Sequence, residues 1–160
     1  MGDFFIKIND ANLYPGMLSA EAKGLALLSG THTFQIPEVV AEGELDGIQY
    51  LLLDWISTGR PMQDFWLSFG RKLASLHLHT RPQFGLDFEN YIGSLSQSNL
   101  AFNDFATFYS EHRLHGLVKK LHDMRRIEGK EVLNFEKLFS RMAMLIPKEP
   151  PALLHGDLWA

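Results

Sequence analysis

Apolar and polar side chains alternate near the start of the chain. Ile6 and Ile8 lie on one side of a predicted strand and Lys7 lies on the other. Two further apolar runs flank Asp46-Gly47, a favoured hairpin turn because glycine tolerates a positive φ. The predicted elements are a strand over residues 4–9, a helix over Met17–Ser29 closed by Gly30, and strands over residues 39–42 and 48–56. This part therefore has the order β-α-β-β.

Beyond residue 61 the apolar positions recur with the spacing of amphipathic helices. The helices are predicted over residues 63–79, 103–122 and 134–146, and the last ends before Pro147. Residues 82–99 are rich in Gly, Asn and Ser and predict an irregular loop, while residues 152–154 predict a short apolar strand. A β-rich part followed by a mainly helical part predicts an α+β fold.

The composition is that of an ordinary globular protein, with 160 residues of which 46% are apolar and 21% are charged. A net charge of −4 gives no general attraction for nucleic acid or an anionic membrane, so we expect neither as a partner. The absence of cysteine excludes disulfides, thiolate catalysis and cysteine-zinc sites. The amino terminus lacks the features of a signal peptide, and no apolar run approaches the ~20 residues that span a bilayer. We therefore expect a cytoplasmic location.

Lys7 and Glu21 are the first candidate site residues. Glu21 shares a helix stripe with Leu25 and Leu28, and a carboxylate on an apolar stripe is costly unless it is paired. A strand lysine followed by an inward helix glutamate is the arrangement with which protein kinases hold the α- and β-phosphates of ATP. Taken alone, the same pattern also suits a solvated lysine on an edge strand.

His155-Gly156-Asp157 is the second candidate feature, at the end of a predicted strand. An aspartate there is able to accept the proton of a substrate hydroxyl and direct its oxygen at phosphorus. A turn that merely closes a strand would have the same sequence. The neighbouring Trp159 offers a flat face for a sugar ring, or simple core packing.

Asp54, Trp55 and Ile56 follow an apolar strand and precede a helical part of the chain. The backbone of such a segment is able to present its N–H and C=O groups to an adenine, although an ordinary strand entering a loop would look alike. Histidine pairs such as His77 and His79 are poor metal pairs, since two residues of separation turns them to different helix faces. We expect no metal site within this chain.

Several segments resemble the fructosamine/ketosamine kinase family in order and spacing. The segments are FIKIN at 5–9, AEAKGL at 20–25, LLDWI at 52–56, FGRKLASLH at 69–77, FGL at 84–86, NYIGS at 90–94, QSN at 97–99, FYSEHRL at 108–114 and LHGDLW at 154–159. The last is similar to the family's catalytic loop, and the resemblance extends over essentially the whole chain.

The resemblance implies a protein-kinase-like fold and the ATP-dependent phosphorylation of a sugar hydroxyl of ketosamines, free or protein-bound. It implies that Asp157 is the catalytic base and that Lys7, held by Glu21, contacts the nucleotide phosphates. Residues 54–56 would be the adenine-binding hinge, and Trp159 would face the substrate.

By the same resemblance, residues 1–56 are a partial N-lobe, residues 57–61 a linker and residues 62–160 a partial helical C-lobe. The family's glycine-rich loop would precede the strand of Lys7, and its Mg²⁺ ligands would lie beyond Ala160, so both ends are predicted to be cut. We therefore expect this chain alone to be inactive and its exposed apolar surface to drive self-association. Two alternatives stay open: a kinase of the same fold for aminoglycosides or choline, and a non-catalytic binding remnant.

Overall fold

The computed structural model describes residues 2–61 and 63–158 and contains two compact units. The first unit is formed by the described residues up to Thr80 and from Ala152 onward, and the second by Arg81–Pro151. The division into lobes at residues 57–61 stays a prediction. None of the described helices is long and apolar enough to cross a membrane.

A three-stranded antiparallel sheet and one helix make up the amino-terminal part of the first unit. Its strand order is β1-β3-β2. Asp46 and Gly47 join β2 to β3 with φ values of 51° and 76°, which is the turn geometry that suits the twist of a hairpin. The predicted β-α-β-β order is therefore confirmed. The elements are β1 (Phe4–Asp10), α1 (Met17–Ser29), β2 (Val39–Leu45) and β3 (Ile48–Asp54).

The core of this part lies between α1 and one face of the sheet. Leu18 and Ala22 are one helical turn apart and pack against Leu51 and Leu53 of β3, and all four are buried. Residues at positions i and i+4 share a helix face, and residues i and i+2 share a strand face, so both patterns point into one interface. The covered face of the sheet is the one that carries Lys7, because Lys7 lies opposite Leu51 in the register of β1 and β3.

Helix α2 spans Phe65–His77 and is two residues shorter at each end than predicted. Leu76 of this helix is fully buried. Phe69 packs against Phe34, with the two ring centroids 5.5 Å apart. The predicted strand over residues 152–154 is wrong in extent. Ala152 makes a single bridge with Thr80, and the rest of the segment is irregular.

The second unit contains a small hairpin and a run of helices. The predicted irregular stretch 82–99 includes the hairpin, which the loop-like composition concealed. Phe84 and Phe102 exchange two backbone hydrogen bonds of 2.8 and 3.0 Å at the base of this stretch. The elements are β4 (Asn90–Ile92), β5 (Leu95–Gln97), α3 (Phe105–Tyr109), a π-helical turn (Ser110–His115), α4 (Gly116–Asp123), α5 (Gly129–Phe139) and α6 (Met142–Leu145).

The helix boundaries of the second unit differ from the prediction in two places. The helix predicted over residues 103–122 contains the π-helical turn, a widening that period 3.6 does not reveal. The helix predicted over 134–146 begins five residues earlier, where the Glu131 carboxylate accepts the N–H of Glu128 at 2.8 Å. It also ends at Phe139, before the short helix α6.

Arg113 anchors the segment that precedes α3. Its guanidinium donates to the carbonyl of Ser98 at 2.6 Å and to the side-chain oxygen of Asn99. Asn99 is buried and donates in turn to the carbonyl of Phe88 and to Asn90 Oδ1, each at 2.9 Å. Burial lowers the pKa of Arg113, and the hydrogen bonds of its guanidinium offset the cost of removing a cation from water.

Candidate nucleotide-phosphate site

Lys7 and Glu21 form the ion pair that the sequence predicts. Lys7 Nζ donates to both carboxylate oxygens of Glu21 at 2.7 Å. The two side chains remain 40% and 33% exposed, so the pair contributes little to stability, and its ammonium stays within reach of solutes. A cation held by two hydrogen bonds, yet open to solvent, is suited to meet an anionic ligand.

Each member of this pair is positioned by a simple periodicity. Lys7 lies on the sheet face that α1 covers, because the side chains of β1 alternate between the two faces. Glu21 lies one helical turn after Leu18 and directly before Ala22, both of which are buried in the core. The hydrophobic packing of α1 against the sheet therefore also places Glu21 next to Lys7.

Gln49 is a residue of this region that sequence analysis missed. It lies on the buried face of β3 and is only 4% exposed. Its side-chain oxygen accepts the N–H of Leu18 at 3.2 Å, and its amide nitrogen donates to the carbonyl of Tyr14 at 2.6 Å. The available signal was the alternation Gln49, Leu51, Leu53, which puts one polar side chain in a row of buried ones.

The predicted hinge segment follows β3 directly. The N–H of Asp54 donates to the carbonyl of Glu38 at 3.0 Å, and the N–H of Trp55 donates to the carbonyl of Asp3 at 3.3 Å. The Asp54 carboxylate also accepts the N–H of Glu38. These two N–H groups are already used within the chain, so an adenine would have to be recognised by other backbone groups of residues 54–56.

Asp157 lies in the irregular segment that follows Ala152. Gly156 has a φ of 84°, a left-handed conformation that glycine adopts without cost, and it turns the chain before Asp157. The N–H of Asp157 donates to Nδ1 of His155 at 3.3 Å, and the aspartate is exposed. The catalytic role of Asp157 stays a prediction, and Trp159 lies outside the described residues.

A cavity of about 180 Å³ adjoins this segment. Its walls are mostly apolar and come from α1, α2, the chain between α1 and β2, and the segment that carries Asp157. Lys7 does not line it. The cavity therefore adjoins the predicted catalytic loop and is separate from the phosphate site predicted at Lys7. The residues that line it include Leu28, Phe34, Phe69, Leu73, His155 and Leu158.

Within residues 2–61 and 63–158, no group of three or more His, Asp or Glu residues is arranged to hold a metal ion. The expectation that the Mg²⁺ ligands lie beyond Ala160 stays a prediction, and Ala160 itself, like Trp159, falls outside the described residues.

Comparison with known proteins identifies relatives over the full length of the chain. The family model described as fructosamine kinase matches residues 1–160. A probable ketoamine kinase of Synechocystis sp. is 35% identical over 98% of this chain and 52% of its own length. A probable ketoamine kinase of Escherichia coli is 35% identical over 99% of this chain and 54% of its own length. The chain thus spans about half the length of the curated relatives it matches.

Solved structures of two proteins also match nearly the whole of this chain. A putative fructosamine-3-kinase from Thermobifida fusca superposes with a TM-score of 0.84 at 30% identity, covering 99% of this chain and 55% of that one. A putative fructosamine-3-kinase from Haemophilus somnus superposes with a TM-score of 0.78 at 30% identity, covering 93% of this chain and 49% of that one. The predicted fold class, α+β and protein-kinase-like, is confirmed.

Proposed function

This chain belongs to the fructosamine kinase family, and we propose that the protein carrying it transfers the γ-phosphoryl group of ATP to a sugar hydroxyl of a ketosamine. The substrate class is supported by the names of the relatives, which are probable ketoamine kinases and putative fructosamine-3-kinases. The single observation that carries the proposal is the two-pronged hydrogen bonding of Lys7 to Glu21 at 2.7 Å, on a sheet and helix of the family's fold.

In this proposal Lys7 contacts the α- and β-phosphates of ATP. Three negatively charged phosphate groups gather at the site, and a fixed ammonium lowers their mutual repulsion. Glu21 keeps the lysine side chain, which has four rotatable carbon bonds, from turning away into solvent. Phosphoryl transfer depends mainly on such positioning and charge neutralisation, since the protein forms no covalent bond.

Asp157 acts as the proton acceptor. As the sugar hydroxyl attacks the γ-phosphorus, its proton passes to the carboxylate, and the bond from phosphorus to the bridging oxygen breaks to release ADP. Residues 54–56 hold the adenine through backbone groups, and Trp159 is assigned to the sugar. Mg²⁺ would supply further neutralisation of phosphate charge.

Nucleotide binding tests the role of Lys7 directly. We expect the 160-residue chain to bind ATP, and Lys7→Met to weaken binding by about 10- to 100-fold, because a charge-assisted hydrogen bond to phosphate contributes about 1.5–3 kcal/mol. Isothermal titration calorimetry measures both affinities. Lys119→Met is a matched control, since Lys119 also pairs with a carboxylate, Asp123, at 2.5 Å but lies in the second unit. Equal affinities in Lys7→Met and the wild type would contradict the assignment.

The substrate class is tested with the complete gene product. ADP release is followed with a ketosamine such as fructosyl-lysine, an aminoglycoside and choline, each with wild type and with Asp157→Asn. We expect release to depend on the ketosamine and to be lost in Asp157→Asn. ADP release that depends on the aminoglycoside or on choline would show that the substrate belongs to that class and not to the ketosamines. An unchanged rate of ADP release in Asp157→Asn would show that Asp157 is not the proton acceptor.

A further inference from the structure

The first turn of α1 lacks the cap that helices usually have. The N-cap residue is Gly16, with a φ of 69° and no side chain to accept a hydrogen bond. The first N–H groups of a helix have no partner within it, and an N-cap side chain normally accepts one from the second or third residue. For α1 that residue is Leu18, which is itself buried.

Gln49 supplies the missing acceptor from a distant part of the chain. Its side-chain oxygen accepts the N–H of Leu18, and its amide nitrogen holds the carbonyl of Tyr14 just before the helix. Both groups of one side-chain amide are thus used at the point where the chain enters α1. Because Gln49 is 4% exposed, water cannot easily replace either bond, so losing them leaves buried polar groups unpaired.

The position of Gln49 on the sheet connects this cap to Lys7. Gln49 lies opposite Asn9 in the register of β1 and β3, and Leu51 lies opposite Lys7 one side-chain row further along the same face. Two neighbouring residue pairs on this face of the sheet therefore contact two neighbouring parts of α1. Gln49, in the first pair, binds the start of the helix, and Lys7, in the second pair, binds Glu21, three residues after Leu18.

We propose that Gln49 is a positioning residue for the phosphate-contacting lysine, because it fixes the start of α1 on the sheet and so holds Glu21 against Lys7. Hydrophobic contacts alone tolerate small shifts of a helix along or around its axis, whereas two directional hydrogen bonds do not. The role in nucleotide binding rests on the proposed function, while the effect of Gln49 on the Lys7–Glu21 pair does not depend on it.

The test measures how firmly Lys7 is held. An amine bound by a carboxylate must leave it before it reacts, so the rate at which N-hydroxysuccinimide acetate labels Lys7 reports on the pair. We expect Gln49→Met, which is similar in volume but lacks both hydrogen-bonding groups, to raise this rate about tenfold, close to the rate in Glu21→Gln. Peptide mass spectrometry follows each lysine separately, and Lys119 serves as the internal reference.

Gln83→Met is the matched control, because Gln83 donates a side-chain hydrogen bond to Asn103 in the second unit. We expect it to leave the labelling of Lys7 unchanged. A general difference in reagent reactivity between the samples would change the labelling of Lys119 and Lys7 together, whereas a positioning role raises that of Lys7 alone. Equal Lys7 rates in wild type and Gln49→Met, with a faster rate in Glu21→Gln, would overturn the proposal.

Gln49→Glu keeps the proposal testable if Gln49→Met does not fold. It retains an oxygen for the N–H of Leu18, and its ionised form has no donor for the carbonyl of Tyr14, so we expect that form to give Lys7 labelling at a rate between those of wild type and Glu21→Gln. A rate in Gln49→Glu identical to that of the wild type would overturn the role of the Tyr14 bond. The affinity of the complete gene product for ATP separates the two proposals. Lack of ATP binding by that protein contradicts the proposed function, while the labelling rates still decide the role of Gln49.

Discussion

Gly85 occupies a backbone conformation that no other residue type would adopt easily. Its φ is 110°, and a Cβ at this position would collide with the backbone carbonyl oxygen of Asn99 and lie 2.9 Å from that of Leu100. Backbone atoms of a hydrogen-bonded segment cannot move aside as the tip of a flexible side chain can. The close approach of the two chain segments in the second unit therefore depends on the absence of a side chain at Gly85.

We predict that Gly85→Ala lowers the free energy of unfolding of the second unit by about 3 kcal/mol, through φ strain and collision together. Urea unfolding followed by circular dichroism measures the change. Gly93→Ala is the matched control, because Gly93 has a φ of 54° but open space around its Cβ position. We expect about 1 kcal/mol there, from backbone strain alone. If both variants lose a similar amount of unfolding free energy, the backbone around Gly85 accommodates a Cβ without a further energetic cost.

Lys7 and Glu21 could be predicted as a pair because each follows from the period of its own element, two for a strand and 3.6 for a helix. Gln49 and Arg113 could not be predicted in this way. Their partners lie 31 residues away at Leu18 and 15 residues away at Ser98. Such hydrogen bonds depend on how the helices and strands pack against one another, and no local sequence pattern predicts that packing.

At the scale of elements, the helical run that begins with α3 starts from a well-formed cap. Asp104 is its N-cap, and its carboxylate accepts the N–H of Thr107 at 3.0 Å. The hydrogen bonds from Thr107 lower the pKa of Asp104 below its ordinary value of 3.8. The ionised carboxylate is thus the form that stabilises the folded state, in agreement with its place at the positive end of a helix.

The sign of the pH dependence follows from this lowered pKa. The stabilisation by Asp104 is complete above its unfolded pKa and is lost as the pH falls through its folded pKa. We predict that Asp104→Asn reduces thermal stability slightly at pH 7, and that its difference from wild type shrinks below about pH 4. Melting temperatures from pH 2.5 to 7 measure this difference. Asp64→Asn is the control, because Asp64 precedes α2 without a side-chain cap bond. A constant difference for Asp104→Asn across this range would argue against the cap.

The elements that could be predicted are those whose signals are local. The hairpin of β2 and β3 follows from Asp46-Gly47 between two apolar runs, and α1 follows from its apolar stripe. The predicted start of α5 is wrong because the helix begins at a polar capping box, formed by Glu128 and Glu131, and not at the first residue of its predicted apolar stripe, Phe135. The segment after Pro151 has the composition of a strand, yet strand length is decided by available partners, and within its described part Ala152 alone forms a bridge, with Thr80.

At the scale of the whole molecule, the sheet face opposite α1 carries exposed apolar side chains. Ile8 is 71% exposed and Leu45 is 69% exposed, with Ile6 and Ile48 beside them in the register. Removing apolar surface of this kind from water is favourable in free energy, so it favours association between copies of the chain. We predict concentration-dependent self-association of the 160-residue chain, which analytical ultracentrifugation measures. The double variant Ile8→Thr/Leu45→Thr, which preserves strand propensity, is expected to weaken association by about tenfold or more.

A matched control separates this face from general surface hydrophobicity. Leu13 is also 69% exposed, but it lies in the turn between β1 and α1. We expect Leu13→Thr to associate like the wild type. A wild type that sediments as a monomer at all accessible concentrations, or a Leu13→Thr variant as weakened as the double variant, would exclude the sheet face as the cause.

The bridge between Thr80 and Ala152 has a consequence for biosynthesis. All of Arg81–Pro151 must leave the ribosome before Thr80 can meet its partner. At about 5–20 residues per second, translation of that stretch takes roughly 4–14 seconds. The earlier unit therefore waits for its bridging residue, Ala152, throughout the synthesis of the intervening unit. Slowing translation within this stretch would lengthen the interval during which chaperones and proteases can reach the unfinished unit.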